Sequence, residues 1–482
     1  MCGVVGLIGA AEAAKEAFLG LTTLQHRGQD AAGILTYDAD GFHSVKNVGL
    51  VDSVFTRDNT STLSGNMAIG HVRYSTIGKG DLNDVQPFLL SYPFGLGLVH
   101  NGNIVNCSTL AKELKAEARR HLLSQSDTEV VLHMLADALS RTPGAQPGVD
   151  LDFEHICSAV GSIFKRANGS YSIISLIADR GLVAFRDPFG IRPLILGKRD
   201  GAYMLASESV ALSFLRYEIV RDVEPGEVIF IDSNGKLHSR VIDKREKRSC
   251  MFEWVYFSSP ESVIDSVPVY RSRINLGKNL AALLAEKIKA ENIEADVIVP
   301  IPETSRIAAI ALSEELKIPY RELLIKNRYI KRTFILDSQE KRQKAVNLKL
   351  SPVRSEMNGK RIILVDDSIV RGTTSRKIVE LVRQAGASKV YLVSTCPAIK
   401  YPCYYGIDFP CTSELIASGR DLKEVEKDLD VDAVVYQKIS GLKKSIEGFT
   451  PCVACLDGKY PTDVSAAESF SSARAKDRRS KK

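Results

Sequence analysis

The sequence predicts two domains of different fold class, a layered α+β domain followed by an α/β domain with a parallel sheet. The chain of 482 residues is longer than one hydrophobic core usually serves. Short apolar strands separated by glycine turns fill the first ~240 residues, whereas helices and strands alternate from about residue 270 onward. We therefore expect domains at 2–240 and 260–445, followed at 446–482 by a cysteine-containing segment and a basic tail.

The N-terminal half consists of predicted strands interrupted by two helices. Ser233, Asn234 and Gly235 lie between two apolar runs and indicate a β-hairpin. Helical periodicity predicts helices from 108 to about 121 and from 127 to about 140. Strands covered by helices on one face form a layered α+β domain.

The C-terminal half alternates helix and strand. A helix at 274–290 is followed by strand ADVIVPIP, helix SRIAAIALSEEL, strand RIILVDD, helix SRKIVELVRQAG and strand KVYLVSTC. This alternation is typical of a parallel sheet with right-handed crossovers.

Composition and charge narrow the function classes. No apolar run is long enough to span a bilayer, and no basic segment precedes the first apolar run as in a signal peptide. The net charge is +6, but the last ten residues, ARAKDRRSKK, hold six basic residues and one acidic residue and contribute +5 of it. We therefore expect a cytoplasmic chain with a disordered basic tail, no membrane contact and no nucleic-acid partner.

Nine cysteines are present, an odd number that argues against a disulfide framework in a chain without a secretion signal. Metal ligation, catalysis and plain burial remain as their uses. Cys452 and Cys455 form a CxxC pair, which is compatible with zinc, with an iron–sulfur cluster or with no metal.

Cys2 stands directly behind Met1, and two interpretations are open. It begins a short apolar run, CGVVGLIG, and can be a small residue of a buried strand. Alternatively, removal of Met1 gives Cys2 a free α-amine, whose pKa of roughly 7.7–8.0 lets it act as a base near neutral pH. A thiol beside its own amine is a self-contained nucleophile and base.

Asp366 and Asp367 end a predicted buried strand and precede the loop SIVRGTT, after which a helix is expected near Ser375. Hydroxyl residues and a glycine at a helix N-terminus offer backbone N–H groups to an anion. Two adjacent carboxylates cost energy without a partner. A ribose phosphate explains this arrangement better than a structural turn capped by Thr374.

This stretch resembles the phosphoribosyl pyrophosphate (PRPP) motif of type I phosphoribosyltransferases. The resemblance implies that Asp366 and Asp367 bind the ribose hydroxyls with Mg²⁺. It also implies that the following loop holds the 5-phosphate through Ser368, Arg371, Gly372, Thr373 and Thr374. PETSR (302–306) would be the pyrophosphate loop, with Thr304 in the magnesium site. KNRYIKRTFI (326–335) resembles the flexible loop over PRPP and includes Lys326 as a ligand, although Lys331 stands where a glycine is expected.

Five short motifs in the first 130 residues resemble the N-terminal-nucleophile glutamine amidotransferases: MCG, LQHRGQDAAG, GHVRYST, HNGNI and SQSDTEV. The resemblance implies an αββα glutaminase domain in which Cys2 attacks the side-chain amide of glutamine. Asn101 and Gly102 would form the oxyanion hole. Arg73 would hold the α-carboxylate of glutamine, and Asp127 its α-ammonium group.

Together the two halves resemble the glutamine PRPP amidotransferases, which make 5-phosphoribosylamine, glutamate and pyrophosphate and open de novo purine synthesis. FRDPFGIRPL, LASES and YGIDFP extend the match. The cluster-bearing members imply a [4Fe–4S] cluster on Cys250, Cys403, Cys452 and Cys455. Cys396 is the rival for the second position, and Cys403 is preferred because its flanking residues match. A homo-oligomer, dimer or tetramer, is also implied.

Two other functions remain as alternatives. In one alternative the same glutaminase serves another acceptor, such as a sugar phosphate or an aspartate adenylate, but such a partner has no need of VDDSIVRGTT. A PRPP-sensing regulator could bind nucleic acid through the basic tail, but it would have no use for the set Cys2, Arg73, Asn101 and Asp127.

Overall fold

The computed structural model describes residues 2–74, 82–143, 150–327, 350–409 and 411–467. In the N-terminal half, the elements in chain order are β1 (Gly3–Ile8), α1 (Ala13–Thr23), β2 (Ala31–Asp38), β3 (Gly41–Val48), α2 (Val51–Val54), α3 (Arg57–Thr60), β4 (Met67–Arg73), β5 (Phe88–Leu90), β6 (Leu96–Ile104), α4 (Cys107–Glu117), α5 (Asp127–Ser140), α6 (Phe153–Arg166), β7 (Gly169–Ile177), β8 (Gly181–Arg186), β9 (Ile195–Arg199), β10 (Ala202–Ala206), α7 (Ser209–Phe214), β11 (Glu218–Asp222), β12 (Glu227–Asp232) and β13 (Leu237–Val241).

A π-helical turn at Glu253–Phe257 and two short paired strands lead into the C-terminal half. The elements that follow the turn are β14 (Val263–Ile264), β15 (Val267–Pro268), α8 (Val269–Glu291), β16 (Val297–Pro300), α9 (Arg306–Leu316), β17 (Leu324–Lys326), β18 (Leu350–Pro352), α10 (Arg354–Met357), β19 (Arg361–Asp366), α11 (Thr373–Gln384), β20 (Lys389–Ser394), α12 (Leu422–Leu429), β21 (Ala433–Tyr436), α13 (Ile439–Ser445) and α14 (Ala454–Asp457).

Two antiparallel sheets face each other in the N-terminal half. Their strand orders are β11-β9-β10-β1-β4-β2-β3 and β13-β12-β8-β7-β6-β5. Apolar side chains fill the space between them, among them Val4 and Ile69 from the first sheet and Val99 and Ile174 from the second. Helices α1 and α7 cover the outer face of the first sheet, and α5 and α6 cover that of the second. This αββα arrangement confirms the predicted layered α+β fold.

The C-terminal half is built on a parallel sheet of order β16-β19-β20-β21. Ile363 and Val365 of β19 pack beneath α8 and α9, whereas Ile362 and Leu364 pack beneath α11 and α12. Both faces are therefore buried, as the continuous apolar run RIILV indicates. The predicted α/β fold is confirmed.

The predicted hairpin and helices are present, although some helices begin or end at residues other than those predicted. The Asn234–Gly235 turn joins β12 and β13 in an antiparallel hairpin, with Gly235 at φ +78°. Helix α8 begins at Val269, five residues before the predicted start, and α4 ends at Glu117 rather than near 121. The domain limits 2–240 and 260–445 stay predictions.

The segment that joins the two halves is buried in the outer core of the first sheet. Phe252, Trp254 and Tyr405 belong to the same apolar cluster as β1 and α1. The first sheet therefore shares an apolar cluster with residues of the C-terminal half. None of the helices in the described ranges is long and apolar enough to cross a membrane.

Candidate active sites

Cys2 directly precedes β1 and contacts Asn101 of the facing sheet. Its side chain is half-buried, and Sγ lies 3.9 Å from the carbonyl oxygen of Tyr74. The Cys2 backbone N–H donates to Asn101 Oδ1 of the opposite sheet at 3.3 Å. The structure therefore brings the predicted nucleophile and one predicted oxyanion residue together from strands 99 positions apart.

The Asn101–Gly102 pair has the features of an oxyanion hole. Asn101 is fully buried, yet its Nδ2 has no hydrogen-bond partner among the described residues. A buried N–H group without a partner is costly, and a substrate oxyanion would satisfy it. Gly102 has a φ of +156°, and a Cβ there would fall 2.0 Å from Ser170 O. This close approach excludes every residue but glycine.

Arg73 and Asp127 carry opposite charges and lie at the end of β4 and at the beginning of α5. Arg73 ends β4, next to Tyr74, and its Nη2 lies 3.7 Å from Asp84 Oδ2. Asp127 begins α5, capped by Ser126, and accepts the Ile104 N–H at 3.0 Å. An α-carboxylate and an α-ammonium group match this pair of charges.

Asp127 is ionised despite its burial. Burial raises its pKa, but His100, whose Nδ1 lies 3.5 Å from Asp127 Oδ1, and the N–H groups of Ile104 and Thr128 outweigh burial. The pKa of Asp127 is therefore below its usual value. An anionic Asp127 suits a cationic ligand group.

A network of buried charges lies behind Cys2, and no role is predicted for it from the sequence. Arg27 Nε donates to the Cys2 carbonyl at 3.0 Å, and the guanidinium also pairs with Glu208 and Glu253. Arg192 pairs with Glu253 from the other side. All four side chains are fully buried, so each charge depends on its partners. Arg27 and Arg192 belong to the quoted motifs LQHRGQDAAG and FRDPFGIRPL, which was the available signal.

The second candidate site lies at the carboxyl edge of the parallel sheet. β16 and β19 are adjacent, with Pro300 opposite Val365. Thr304, four residues beyond β16, and the Asp366–Asp367 pair at the end of β19 therefore emerge at one edge. Ligands of open α/β sheets bind at this edge.

The two acids are unusually hard to ionise. Both are half-buried, the Asp367 N–H donates to Asp366 Oδ1 at 3.0 Å, and Ser368 Oγ donates to Asp367 Oδ1 at 2.8 Å. Burial, and for Asp366 also the neighbouring carboxylate, raises the pKa of each. A cation or donor hydroxyls would relieve this cost.

The loop after the acids leads into α11, which corrects one expectation. The helix begins at Thr373 rather than near Ser375, and Gly372 rather than Thr374 occupies the N-cap position, at φ +73°. The positive φ favours glycine at this position, and a Cβ there would fall 2.3 Å from Ile416 Cδ1, which would have to shift. The N-terminus of α11 and the hydroxyls of Thr373 and Thr374 remain exposed to a ligand.

Arg371 and Lys326 are also predicted PRPP ligands, and their surroundings differ from those of the residues described above. The Arg371 guanidinium donates to Glu414 and to the Asp408 carbonyl, away from the acids. Lys326 is an exposed residue at the end of β17. The remainder of the predicted flexible loop, including Lys331, lies outside the described residues.

The four cysteines predicted as cluster ligands lie in one buried region. Cys250 and Cys452 form a parallel bridge between their segments, and Cys403 and Cys455 lie within electrostatic reach of both. All four are buried free thiols. Burial raises the pKa of Cys250 to about 11 and that of Cys452 and Cys455 still further.

The cysteines outside that set differ in their surroundings. Cys157 belongs to α6 and packs into the core on the outer face of the second sheet, and Cys107 and Cys411 are half-buried. Cys396 is fully buried between the acid pair and Cys455, and its N–H donates to the Asp367 carbonyl at 2.9 Å. Among the described residues, no three His, Cys, Asp or Glu side chains converge as ligands of one metal ion.

Both domain types are found by comparison with protein families. A glutamine amidotransferase domain model matches residues 71–214, and a phosphoribosyl transferase domain model matches residues 272–406. Fold and sites thus define a glutamine amidotransferase joined to a phosphoribosyltransferase.

Relatives that match nearly the whole chain identify the family more specifically than the two domain matches do. The chain is 44% identical to the amidophosphoribosyltransferase of Escherichia coli K12, covering 96% of this chain and 93% of that one. It is 43% identical to that of Methanocaldococcus jannaschii, covering 96% and 98%. The glutamine PRPP amidotransferase of B. subtilis, solved in complex with ADP and GMP, has a TM-score of 0.84 at 38% identity and covers 96% and 98%. The chain belongs to the amidophosphoribosyltransferase family.

Proposed function

We propose that this chain converts glutamine, PRPP and water into 5-phosphoribosylamine, glutamate and pyrophosphate, a step of purine biosynthesis. The observation that carries the proposal is the presence of two complementary sites in one chain. One site joins Cys2 to Asn101, whose Nδ2 has no hydrogen-bond partner in the part of the chain that the structure describes. The other places Asp366 and Asp367 at the carboxyl edge of a parallel sheet. Family membership supports the same reaction.

The glutaminase half needs only water and groups of this protein. After Met1 is removed, the α-amine of Cys2 takes the thiol proton, and the sulfur attacks the glutamine amide carbon. The oxyanion accepts hydrogen bonds from Asn101 Nδ2 and the Gly102 N–H. The amine then protonates the leaving ammonia, and water cleaves the thioester to release glutamate. Arg73 and Asp127 orient the substrate through its α-groups.

The PRPP half uses the acids and the start of α11. Asp366 and Asp367 accept the ribose hydroxyls, and the backbone of 368–374 cradles the 5-phosphate. The donor set fits Mg²⁺, because this ion favours oxygen ligands and is usually held by one or two carboxylates together with substrate phosphates. Thr304 supplies a further oxygen at the same edge. Mg²⁺, when bound, neutralises charge on the departing pyrophosphate.

We also propose a [4Fe–4S] cluster on Cys250, Cys403, Cys452 and Cys455. Four thiols in one buried region fit such a group, because each thiolate binds a different iron and no three need converge on one ion. Arg192, whose pKa is raised partly by Cys250 and Cys403, offers positive charge to the thiolates. When bound, the cluster would fasten the C-terminal segment to the region between the domains.

Cellular location, oligomeric state and regulation are also proposed. We expect a cytoplasmic homo-oligomer without a nucleic-acid partner. The ADP and GMP of the B. subtilis structure make purine nucleotides the ligands to test for feedback inhibition.

The decisive measurement is glutamate release from glutamine, with and without PRPP and Mg²⁺, on anaerobically purified protein. We expect PRPP to stimulate release strongly. We expect Cys2→Ala to abolish glutamine-dependent turnover while ammonia-dependent PRPP consumption continues. Glutamate release that ignores PRPP would point to another acceptor, and a Cys2→Ala variant with unchanged glutamine-dependent turnover would overturn the mechanism. Intact-mass spectrometry establishes whether Met1 has been removed.

A further inference from the structure

One interdomain unit contacts both halves of the glutaminase centre. We call it the linking unit and define it as Arg192, Glu253 and the turn Tyr404–Gly406. It lies between the sheet that carries Cys2 and the strand that carries the oxyanion donors. No substrate-binding role accounts for it.

On one side, the linking unit holds the backbone of the nucleophile. Arg27 Nε donates to the Cys2 carbonyl at 3.0 Å, and Arg27 Nη2 donates to both carboxylate oxygens of Glu253 at 3.1 and 3.0 Å. The Arg27 and Glu253 side chains are completely shielded from solvent. The position of Cys2 therefore depends on the position of Glu253.

On the other side, the unit supports the oxyanion strand. Arg192 Nη1 donates to Glu253 Oε1 at 3.3 Å, and Arg192 Nε donates to the Tyr405 carbonyl at 3.0 Å. Asn103 Nδ2 donates to the Tyr404 carbonyl at 2.8 Å, and Ser170 Oγ to that of Tyr405 at 3.0 Å.

These last two contacts fall directly beside Gly102. Asn103 is its neighbour in β6 and pairs with Ser170 in the ladder to β7. Gly406 adds a third contact, because a Cβ on it would lie 3.0 Å from Gly102 O. The oxyanion strand and the Cys2 backbone are thus fastened to the same pair of buried charges.

We propose that Arg192 and Glu253 are positioning residues for glutamine hydrolysis, which, together with the Tyr404–Gly406 turn of the C-terminal half, fix Cys2 relative to the oxyanion donors. This inference rests on the proposed function of the site. A buried ion pair is sensitive to geometry, since either charge left alone is strongly unfavourable. Displacing reacting groups by as little as 1 Å can slow a reaction by about a hundredfold.

Arg192→Lys is the primary test variant, because lysine keeps the charge but cannot bridge Glu253 and Tyr405 with a planar fork. We expect kcat for PRPP-dependent glutamine hydrolysis to fall by roughly ten- to a hundredfold with KM for glutamine nearly unchanged. Ammonia-dependent PRPP turnover should stay within about twofold, because that reaction bypasses Cys2. Glu253→Gln should have the same effect.

Arg221→Lys is the matched control. Arg221 also makes a bidentate pair, with Glu227 at 2.6 and 2.7 Å, in the same half of the chain but away from Cys2 and Gly102. It should leave both activities unchanged. If Arg192→Lys misfolds, as judged by its melting temperature, Ser170→Ala replaces it, since this change removes only the hydrogen bond to Tyr405 and should lower the same kcat several-fold.

The outcomes separate the inference from the function on which it rests. Equal loss of glutamine- and ammonia-dependent turnover in Arg192→Lys, or no loss of either, would overturn the positioning role. A rise in glutamine KM at constant kcat would overturn it as well. Failure of the unmodified protein to couple glutamine hydrolysis to PRPP would instead refute the proposed function.

Discussion

The backbone of Gly406 lies directly against that of Gly102, with only 3.0 Å between Gly102 O and the place where a Cβ of residue 406 would stand. Gly102 belongs to the predicted oxyanion hole, whereas Gly406 follows Cys403 in the C-terminal half. The strand of the predicted oxyanion hole therefore contacts the C-terminal half at the backbone level. A substitution at Gly406 should therefore displace the backbone of Gly102.

Gly406→Ala should impair glutamine hydrolysis selectively. The new methyl group would press on Gly102, and the φ of +95° adds strain for any residue with a Cβ. We expect the glutamine-dependent kcat to fall by about tenfold or more, while ammonia-dependent turnover changes little. Steady-state assays of glutamate and pyrophosphate release measure both.

Gly448→Ala is the control for backbone strain alone. Gly448 has the same φ of +95°, but a Cβ there meets nothing within 4 Å. Both variants should lose similar stability, about 1–2 kcal/mol. If Gly448→Ala reduced the glutamine-dependent kcat as much as Gly406→Ala, contact with Gly102 would not be the cause.

Secondary structure and strand burial could be predicted from the sequence, because they depend on the pattern of apolar residues along the chain. The run RIILVDD predicted a strand buried on both faces, and the structure packs Ile362 and Ile363 against helices on opposite sides of the sheet. The position of the acids then followed from where the strand ends. Cys2 and Asn101 were expected together because their motifs resemble one family, and the structure places them in contact.

The contacts among the buried charges behind Cys2 could not be predicted from such patterns. Arg27, Arg192 and Glu253 are separated by up to 226 positions in the chain, and no periodicity connects them. An isolated arginine or glutamate in a sequence is most often a solvent-exposed residue. Only tertiary packing reveals that these three are buried together. Arg371 gives the reverse case, since its loop position suggested a ligand but Glu414 holds its guanidinium.

Asn101→Asp should remove one oxyanion donor with almost no change of shape. Asn101 Oδ1 accepts the Cys2 N–H, and a carboxylate can still do so, but the unpartnered Nδ2 becomes an acceptor that repels the oxyanion. We expect kcat for glutamine hydrolysis to fall roughly 10²–10³-fold with little change in glutamine KM. Ammonia-dependent turnover should remain.

Asn106→Asp is the corresponding control, because Asn106 Nδ2 donates to the Arg166 carbonyl outside the site. It should lower stability and leave kcat unchanged. An Asn101→Asp enzyme with parental kcat would exclude this side chain from the oxyanion hole.

The iron content should separate Cys403 from Cys396. Both thiols are buried, but only Cys403 is proposed as a ligand. Anaerobically purified parent protein should hold about four irons per chain, with the broad visible absorption of a cluster. Cys403→Ser should lose most of this iron, whereas Cys396→Ser should keep it. Iron loss in Cys396→Ser with retention in Cys403→Ser would reverse the assignment.

Acid should weaken the Arg27 network through Glu208. Burial raises the pKa of Glu208, but His26 and Arg27 outweigh it and lower that pKa from 4.5 to about 2. A group with a lowered folded-state pKa contributes stability above its unfolded pKa, and the contribution is lost as pH falls toward the folded value. The contribution of Glu208 is thus complete above about pH 5 and declines from there toward pH 2.

Glu208→Gln removes this titration and gives the test. The difference in free energy of unfolding between parent and Glu208→Gln should shrink by about 2 kcal/mol between pH 5 and pH 3, measured by urea titration. A glutamine change at exposed Glu117 is the surface control for the loss of one carboxylate. If the difference for Glu208→Gln stayed constant or grew on acidification, Glu208 would not be the group whose protonation releases Arg27, and the acid sensitivity of the network would have to come from another carboxylate.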